Sequence, residues 1–228
     1  MSEEKKKDEL TPEKLGKTVI VGGHPRSGTS LACQLLESAG VKFLSDIGKD
    51  IYNKEGYYEY SLEKELSKRL IEQAMTEENT RDLNKIVKLL NEHEGWSGLK
   101  VVLIPAIFYY RHIGRKNLKA VFIFRNPADS KASMLRRGIS QFKLSWFENN
   151  NAIIAAYENI PESIVISYET IMEKKPCVER AFRKLGFKID MNRIKSLYRT
   201  QKNSGMIVTK EEMAVYKKLK ELEKKSCK

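Results

Sequence analysis

The sequence lacks the features of a membrane protein and of a cysteine-rich secreted protein. No apolar run approaches the ~18 residues that a membrane-spanning helix needs, and the charged first 17 residues contain no apolar core of the signal-peptide type. The three cysteines, Cys33, Cys177 and Cys227, have no metal-ligand spacing and do not make an even disulfide set. Cys33 falls in an apolar helical pattern, where a buried free thiol is expected. A reducing cytoplasm is therefore the predicted location.

Acidic residues are fewer than basic ones. The chain of 228 residues has 42 Lys and Arg against 30 Asp and Glu, a formal net charge of +12. This excess favours anionic ligands such as phosphates, acidic sugars, nucleic acid or a membrane surface, and does not select among them. The length and the hydrophobic fraction of 41% predict a single domain over residues 17–228. The charged residues 1–16 are expected to form a disordered or frayed tail.

The most informative segment is a glycine-containing loop between an apolar, β-branched run and a helical pattern. Its spacing is Gly23-x-x-x-x-Gly28-x-Ser30, which brings backbone N–H groups onto phosphate oxygens at a helix N-terminus. Thr29 stands where a triphosphate-hydrolysing loop has its lysine. The loop therefore predicts a site for one phosphate, with Arg26 as its cation. The alternative is a turn that only connects the strand to the helix.

Strands alternate with helices along the chain. After the first strand, apolar runs at Val41–Leu44, Gly98–Leu103, Lys119–Phe124 and Ser163–Ser167 predict further strands. Helical patterns lie between them, among them Asn84–Glu92 and Trp146–Asn159. This order predicts a P-loop-like, three-layer α/β fold with a central, mainly parallel sheet flanked by helices. Ligands of such sheets bind outside the carboxyl ends of the strands. The glycine-containing loop and the segment after Lys119–Phe124 both lie at that edge.

A second candidate phosphate-binding element follows the strand Lys119–Phe124. Arg125 comes directly after the strand, and Ser133 lies eight residues later on the next predicted helix. A guanidinium binds phosphate through two hydrogen bonds, and a hydroxyl adds a neutral donor. Alternatively, Arg125 pairs with Asp129 at the strand end. Together with the first loop, the two residues predict a ligand that carries two phosphates at different positions.

The motifs resemble those of the sulfotransferase family that uses 3′-phosphoadenosine 5′-phosphosulfate (PAPS). Two of them are similar to the family's 5′-phosphosulfate loop and 3′-phosphate element, namely Pro25-Arg26-Ser27-Gly28-Thr29-Ser30 and Arg125-Asn126-Pro127-x-Asp129-x-x-x-Ser133. Ser167-Tyr168-Glu169-x-Ile171 is similar to a family segment beside the nucleotide. Segments of bacterial members resemble Asn53-x-x-Gly56-Tyr57-Tyr58-Glu59 and Trp96-x-x-x-Lys100. The matches span residues 19 to about 186.

The resemblance implies a donor site and a reaction. The 5′-phosphosulfate would lie on Arg26, Ser27, Gly28, Thr29 and Ser30, the 3′-phosphate on Arg125 and Ser133, and the adenine edge near Tyr168. Lys202, in the loop Lys202–Gly205, would be the late basic residue that the family places on the 3′-phosphate. The reaction would be in-line transfer of a sulfuryl group to an acceptor hydroxyl or amine, with Arg26 neutralising the leaving oxygen. Positioning and charge stabilisation would dominate, without a metal.

The catalytic base is where the sequence departs from the family pattern. The histidine of the cytosolic small-molecule enzymes has no counterpart in Leu99–Val102. Other branches of the family use a glutamate after the first helix, which makes Glu59 the first candidate, Glu55 the second and Asp46 a weaker third. The alternative is that these carboxylates are exposed and balance nearby lysines.

Several other residues have both a functional and a structural interpretation. His24 touches the phosphosulfate or packs in the loop, and Lys100 faces the acceptor or pairs with a charge. His93 and His112 are expected on the surface. Four aromatic residues are expected either to line an acceptor pocket or to pack as amphipathic wall residues, namely Tyr52, Tyr57, Tyr58 and Trp96.

Two other functions are compatible with the motifs. A P-loop nucleotide kinase or triphosphatase is disfavoured by Thr29, and a non-catalytic anion-binding module would use the basic surface to bind RNA or an acidic glycan. Nucleic acid is not the expected partner, and no membrane span is predicted. The class of the acceptor is left open, because acceptor loops carry little motif information.

Overall fold

A five-stranded sheet forms the centre of the molecule. The computed structural model describes residues 11–49, 56–73, 75–194 and 205–228. Its strands are β1 (Thr18–Gly22), β2 (Lys42–Phe43), β3 (Ser97–Val101), β4 (Leu118–Phe124) and β5 (Ser163–Ser167). They are ordered β2-β3-β1-β4-β5, and every neighbouring pair is parallel. The prediction of an α/β fold with a parallel sheet is confirmed.

Helices cover both faces of the sheet. They are α1 (Thr29–Ser38), α2 (Ser61–Glu72), α3 (Glu77–Asn91), α4 (Ile107–Gly114), α5 (Pro127–Leu135), α6 (Trp146–Asn159), α7 (Tyr168–Met172), α8 (Pro176–Lys184) and α9 (Lys210–Cys227). One apolar layer contains residues of α2, α3, α4, α6 and α9, and the other contains residues of α1, α7 and α8. The central strands are buried on both faces, which explains their continuous apolar sequence.

The ends of β1 and β4 meet at a topological switch point. From β1 the chain crosses to β2 on one side of the sheet, whereas from β4 it crosses to β5 on the other side. Gly22, the last residue of β1, is in register with Val101 at the end of β3 and with Phe122 of β4. The loops after β1 and β4 therefore open into one crevice, which is where α/β sheets bind ligands.

Some predicted elements have the observed bounds, whereas others differ, such as the predicted strand Gly98–Leu103, which is β3 at Ser97–Val101. The helix Trp146–Asn159 and the strand Ser163–Ser167 have the predicted bounds. α3 begins well before the predicted Asn84, because Thr76 caps it by accepting a hydrogen bond of 3.1 Å from the Asn79 amide. Its first turn is polar and therefore carries no hydrophobic periodicity.

Residues 11–16 pack against the body of the protein. Asn84 and Asn91 of α3 each accept a hydrogen bond from the backbone of this segment and donate one to it, with distances between 2.7 and 3.0 Å. The Leu15 side chain is buried in the core beside α4. The prediction of a frayed tail as far as residue 16 therefore needs correcting for residues 11–16, and residues 1–10 lie outside the described part of the chain.

Two of the three cysteines form a disulfide. Cys177 at the start of α8 and Cys227 at the end of α9 are bonded, with their Cα atoms 4.9 Å apart. Cys33 is a buried free thiol in α1, as predicted. The sequence analysis did not predict this disulfide. Three cysteines do not make an even set, and 50 residues separate the two that are bonded. The cytoplasmic location stays a prediction.

Candidate functional site

The loop between β1 and α1 depends on two glycines. A Cβ atom on Gly23 would lie 2.3 Å from the carbonyl oxygen of Ile123 in β4, so only glycine lets the loop pass beside that strand. Gly28 has a φ of +97° and is the N-cap of α1, where it offers no capping side chain. The first amides of α1 are thereby directed to the crevice, which is the arrangement that binds an anion at a helix N-terminus.

The two predicted phosphate-binding elements are in direct contact. Arg26 in the loop donates a hydrogen bond from Nε to Ser133 Oγ on α5, at 3.2 Å. Arg125, at the end of β4, donates from Nη1 to the Arg26 carbonyl oxygen at 3.3 Å. Ser130 Oγ donates to the Pro25 carbonyl oxygen at 3.2 Å. Residues 99 to 107 positions apart in sequence thus form one site.

Tyr168 forms the wall between these elements. The Arg125 guanidinium lies 4.4 Å from the centre of the Tyr168 ring. The ring also packs so closely on Gly28 that a Cβ atom there would lie 2.5 Å from it. Ser167 caps α7, accepting a hydrogen bond of 3.2 Å from the Thr170 amide, and so fixes the residue that follows it. The Tyr168 ring therefore contacts both the glycine-containing loop and the cation at the end of β4.

Arg137 is a further cation that the sequence analysis did not single out. Its guanidinium donates to the Tyr57 hydroxyl oxygen at 2.6 Å. Burial and then the repulsion from Arg137 lower the pKa of Arg26, with a smaller contribution from Arg125. Arg137 lies just beyond the end of α5 at Leu135, and the signal available in the sequence was its spacing of four residues from Ser133.

Lys100 and Glu59 form a buried ion pair on the other side of the loop. Lys100, which is 4% exposed, donates from Nζ to Glu59 Oε1 at 2.9 Å, to the Tyr57 carbonyl oxygen at 2.8 Å and to Ser30 Oγ at 3.1 Å. Lys64 binds Glu59 Oε2 at 2.9 Å. Burial raises the pKa of Glu59, but the two lysines outweigh it and hold the pKa below its ordinary value. Glu59 is therefore an ionised carboxylate beside the anion-binding loop.

The structure distinguishes among the other candidates. Asp46 accepts hydrogen bonds from the Ser61 amide and hydroxyl at the start of α2, which is a capping role. His24 is buried with its ring edge against Phe142, and burial followed by Lys131 lowers its pKa to about 3, so the imidazole is neutral. His112 is exposed, as expected.

The remaining predictions fall on packed aromatic residues or outside the described residues. His93 is half-buried and packs over Gly95. Tyr58 donates to Glu37, and Trp96 packs on Phe187 beneath Lys119. Of the aromatic candidates that the structure describes, only Tyr57 therefore reaches the site. Three other predictions, Tyr52, Glu55 and Lys202, lie outside the described residues.

Glu63 is a buried carboxyl that the sequence analysis did not single out. It lies four residues after Glu59, in the first turn of α2, has no solvent exposure, and accepts a hydrogen bond from Ser67. Burial, with repulsion from Glu59, raises its pKa to about 8 despite the opposing effects of Ser67, Lys64 and Lys100. Glu63 is therefore mainly protonated at neutral pH, whereas the ionised Glu59 pairs with Lys100.

Comparison with known proteins identifies the architecture. No family model and no curated protein matches the chain. A solved sulfotransferase domain from the curacin biosynthetic pathway matches with a TM-score of 0.58 and 14% identity, covering 91% of this chain and 99% of that one. The chain has a sulfotransferase fold. This extends the fold class derived from the strand order to a named architecture.

Retinol dehydratase is a weaker match to this sulfotransferase fold. Its complexes with retinol and PAP, and with androsterone and inactive cofactor PAP, give TM-scores of 0.45 and 0.40 at 16% identity. They cover 78% of this chain, which spans only 62% of their length.

No helix within residues 11–49, 56–73, 75–194 and 205–228 is long and apolar enough to cross a membrane. The same ranges contain no group of three or more His, Cys, Asp or Glu side chains that could hold a metal ion.

Burial of Glu63 predicts that stability depends on pH. The carboxyl binds its proton more tightly in the folded state than in the unfolded state, so its contribution to stability is complete below the ordinary pKa of 4.5 and is lost as the pH rises towards about 8. Relative to Glu63→Gln, the wild-type free energy of unfolding should fall between pH 5 and pH 8 by up to about 1.4 kcal/mol per pH unit. Urea unfolding at several pH values measures this difference.

The control for Glu63→Gln is Glu65→Gln, which changes an exposed carboxylate on the same helix. Its difference from the wild type should hardly vary over that pH range, because Glu65 is solvated. Parallel pH profiles for the wild type and Glu63→Gln would contradict the raised pKa.

Proposed function

We propose that the protein is a sulfotransferase that moves a sulfuryl group from PAPS to an acceptor hydroxyl or amine. The observation that carries this proposal is the contact between the two phosphate elements, Arg26 with Ser133 and Arg125 with the Arg26 carbonyl. A nucleotide phosphorylated on both sides of its ribose needs two such elements close together. The sulfotransferase fold supports the same conclusion.

The donor would occupy the crevice in one orientation. Its 5′-phosphosulfate would lie on the amides and hydroxyls of Ser27, Gly28, Thr29 and Ser30, because a helix N-terminus favours negative charge. Its 3′-phosphate would lie between Arg125 and Ser133, where a guanidinium and a hydroxyl converge. The adenine would stack near Tyr168. Lys202 is proposed as a further 3′-phosphate ligand from its sequence motif.

Transfer would proceed by in-line displacement at sulfur. A bond forms between the acceptor oxygen or nitrogen and sulfur, while the bond from sulfur to the bridging oxygen breaks and its electron pair leaves with adenosine 3′,5′-bisphosphate (PAP). The Arg26 guanidinium would neutralise the charge that develops on that oxygen. Because Arg26 is held by Ser133 before the donor binds, little reorganisation is needed at the moment of reaction.

Glu59 is the proposed base for the acceptor proton. It is ionised, and it is linked to Ser30 of the donor loop through Lys100, with distances of 2.9 and 3.1 Å from the lysine nitrogen. An acceptor hydroxyl at Glu59 would therefore lie within reach of the sulfur. Movement of Lys100 from Glu59 towards the incoming sulfonate would raise the basicity of the carboxylate as the donor binds.

Arg125 supplies the first prediction for this proposal. PAP should bind to the wild type, and Arg125→Ala should weaken the binding by about 10- to 150-fold, since one charge-assisted hydrogen bond contributes ~1.5–3 kcal/mol. Isothermal titration calorimetry with PAP measures both. The matched control is Arg136→Ala, which removes the same charge from an exposed position beyond α5 and should leave the affinity nearly unchanged.

The same titration can contradict the proposal. No PAP binding to the wild type at millimolar concentration would refute the donor assignment. Hydrolysis of Mg²⁺-ATP that Thr29→Ala abolishes would point instead to a triphosphatase. Equal losses in Arg125→Ala and Arg136→Ala would mean that net charge, rather than a site, controls the affinity.

Glu59 supplies the second prediction. With labelled PAPS and a metabolite extract as the source of acceptors, Glu59→Gln should lower turnover by roughly 10²–10⁴-fold, the usual contribution of a general base. PAP affinity should change little, because Glu59 lies on the acceptor side of the donor loop. Glu65→Gln is the exposed control on the neighbouring helix. Retained turnover in Glu59→Gln would transfer the role to Glu55.

A further inference from the structure

The C-terminal helix completes the exposed edge of the sheet. β5 is the outermost strand on its side, so alternate amides along it have no neighbouring strand. Ser226 Oγ accepts a hydrogen bond from the Val165 amide at 2.9 Å, and Glu223 Oε1 accepts one from the Ser167 amide at 2.7 Å. Glu223 and Ser226 lie on one face of α9, and both are buried. Two side chains of the helix thus replace a sixth strand.

Glu223 reaches the wall of the donor site through one residue. It also accepts a hydrogen bond of 2.8 Å from Ser167 Oγ, and Lys220 contacts both Glu223 and that hydroxyl. Ser167 is the residue before Tyr168, whose ring packs on Gly28 and lies 4.4 Å from the Arg125 guanidinium. A shift of α9 is therefore transmitted to the surface on which the nucleotide would stack.

The start of α9 is fastened to the other donor element. Glu212 in its first turn forms an ion pair of 2.6 Å with Lys131, which lies on α5 two residues before Ser133. α9 therefore contacts both the helix that carries Ser133 and the strand that leads to Tyr168. No other helix in the described part of the chain has hydrogen bonds to both Lys131 and Ser167.

The Cys177–Cys227 disulfide holds the far end of this helix. Cys227 is the residue after Ser226, and both cysteines are half-buried, so a small reductant can reach the bond. Arg180 and Lys184 of α8 donate to the last carbonyl groups of α9 at 3.2 and 3.3 Å. These solvated contacts are weak without the covalent bond. Reduction would therefore loosen the turn that carries Glu223 and Ser226.

We propose that α9 is a positioning element for the donor site and that the Cys177–Cys227 bond is a redox-sensitive clamp that sets donor affinity. The proposal rests on the proposed function, because it takes PAP as the ligand. A dithiol such as dithiothreitol supplies two electrons and two protons, which cleave the S–S bond into two thiols while the dithiol closes to a cyclic disulfide. The reduced protein keeps its sheet but binds the nucleotide less tightly.

Hydrogen exchange tests the clamp without any ligand. On reduction, the amides of Val165 and Ser167 should exchange at least about fivefold faster, because their acceptors on α9 are released. Amides of β1, in the centre of the sheet, should be unchanged. Thiol alkylation of the unreduced protein after unfolding in denaturant, followed by mass spectrometry, should find one free cysteine, the buried Cys33. Three free cysteines in the oxidised protein, or unchanged exchange at Val165 and Ser167, would overturn the proposal.

PAP titration tests the consequence for the donor. Reduction should weaken PAP binding by about fivefold or more, the lower end of usual coupling between sites. Cys227→Ser should bind as weakly as the reduced protein and no longer respond to dithiothreitol, whereas Cys33→Ala should respond like the wild type. PAP binding that is equal in both redox states contradicts the clamp. Absence of PAP binding in both states contradicts the proposed function, and hydrogen exchange then decides the clamp alone.

Glu223→Ala separates positioning from general stability. It should raise the KM for PAPS about fivefold or more with kcat nearly unchanged, since donor binding is affected and the acceptor side is not. Ser226→Ala is the milder variant if Glu223→Ala does not fold, and it should act in the same direction. A lower kcat with an unchanged KM for PAPS would contradict the positioning role.

Discussion

Positive charge held in a crevice is the constraint on which the rest of the site depends. Arg26 and Arg125 meet where β1 and β4 end, and none of the ion pairs within the described residues includes either of them. Removing guanidinium groups from water without a counter-charge is costly. A bound anion would lower that cost. The glycines, the helix N-terminus and the Tyr168 ring lie around these cations, which is the arrangement that the proposed nucleotide site requires.

Much of this arrangement was predictable because it is local. The loop from Gly23 to Ser30 lies between a β-branched strand and a helix, and its glycines and hydroxyls are adjacent in sequence. Arg125 was recognisable from the buried strand before it. Alternation of strands and helices then brought both segments to the same edge, since parallel strands end together. Their contact needed no information about side-chain packing.

The features that the sequence did not reveal depend on long-range packing. Lys100 pairs with Glu59, which lies 41 positions away in the sequence. The sequence left open whether Lys100 faces an acceptor or pairs with a charge, and only the structure, in which Lys100 contacts both Glu59 and Ser30, shows the pair. Glu63 looked like any helical glutamate, because its burial depends on the elements packed over α2. The 50-residue disulfide has the same origin. The packing of residues 11–16 has the same origin, because it depends on hydrogen bonds from their backbone to α3 and on burial of the Leu15 side chain in the core.

The residues proposed to bind the donor and the residue proposed as the catalytic base lie in different parts of the fold. The proposed donor residues lie in the loops that follow β1 and β4 and on the helices α1 and α5, and α9 contacts α5 through the ion pair of Glu212 with Lys131. The candidate base lies on a segment before α2, held by lysines. A crystal structure of the protein with PAP tests the central claim most directly. The account predicts the 5′-phosphate on the amides of residues 27–30 and the 3′-phosphate between Arg125 and Ser133. A nucleotide bound elsewhere, or with only one phosphate on these residues, would contradict it.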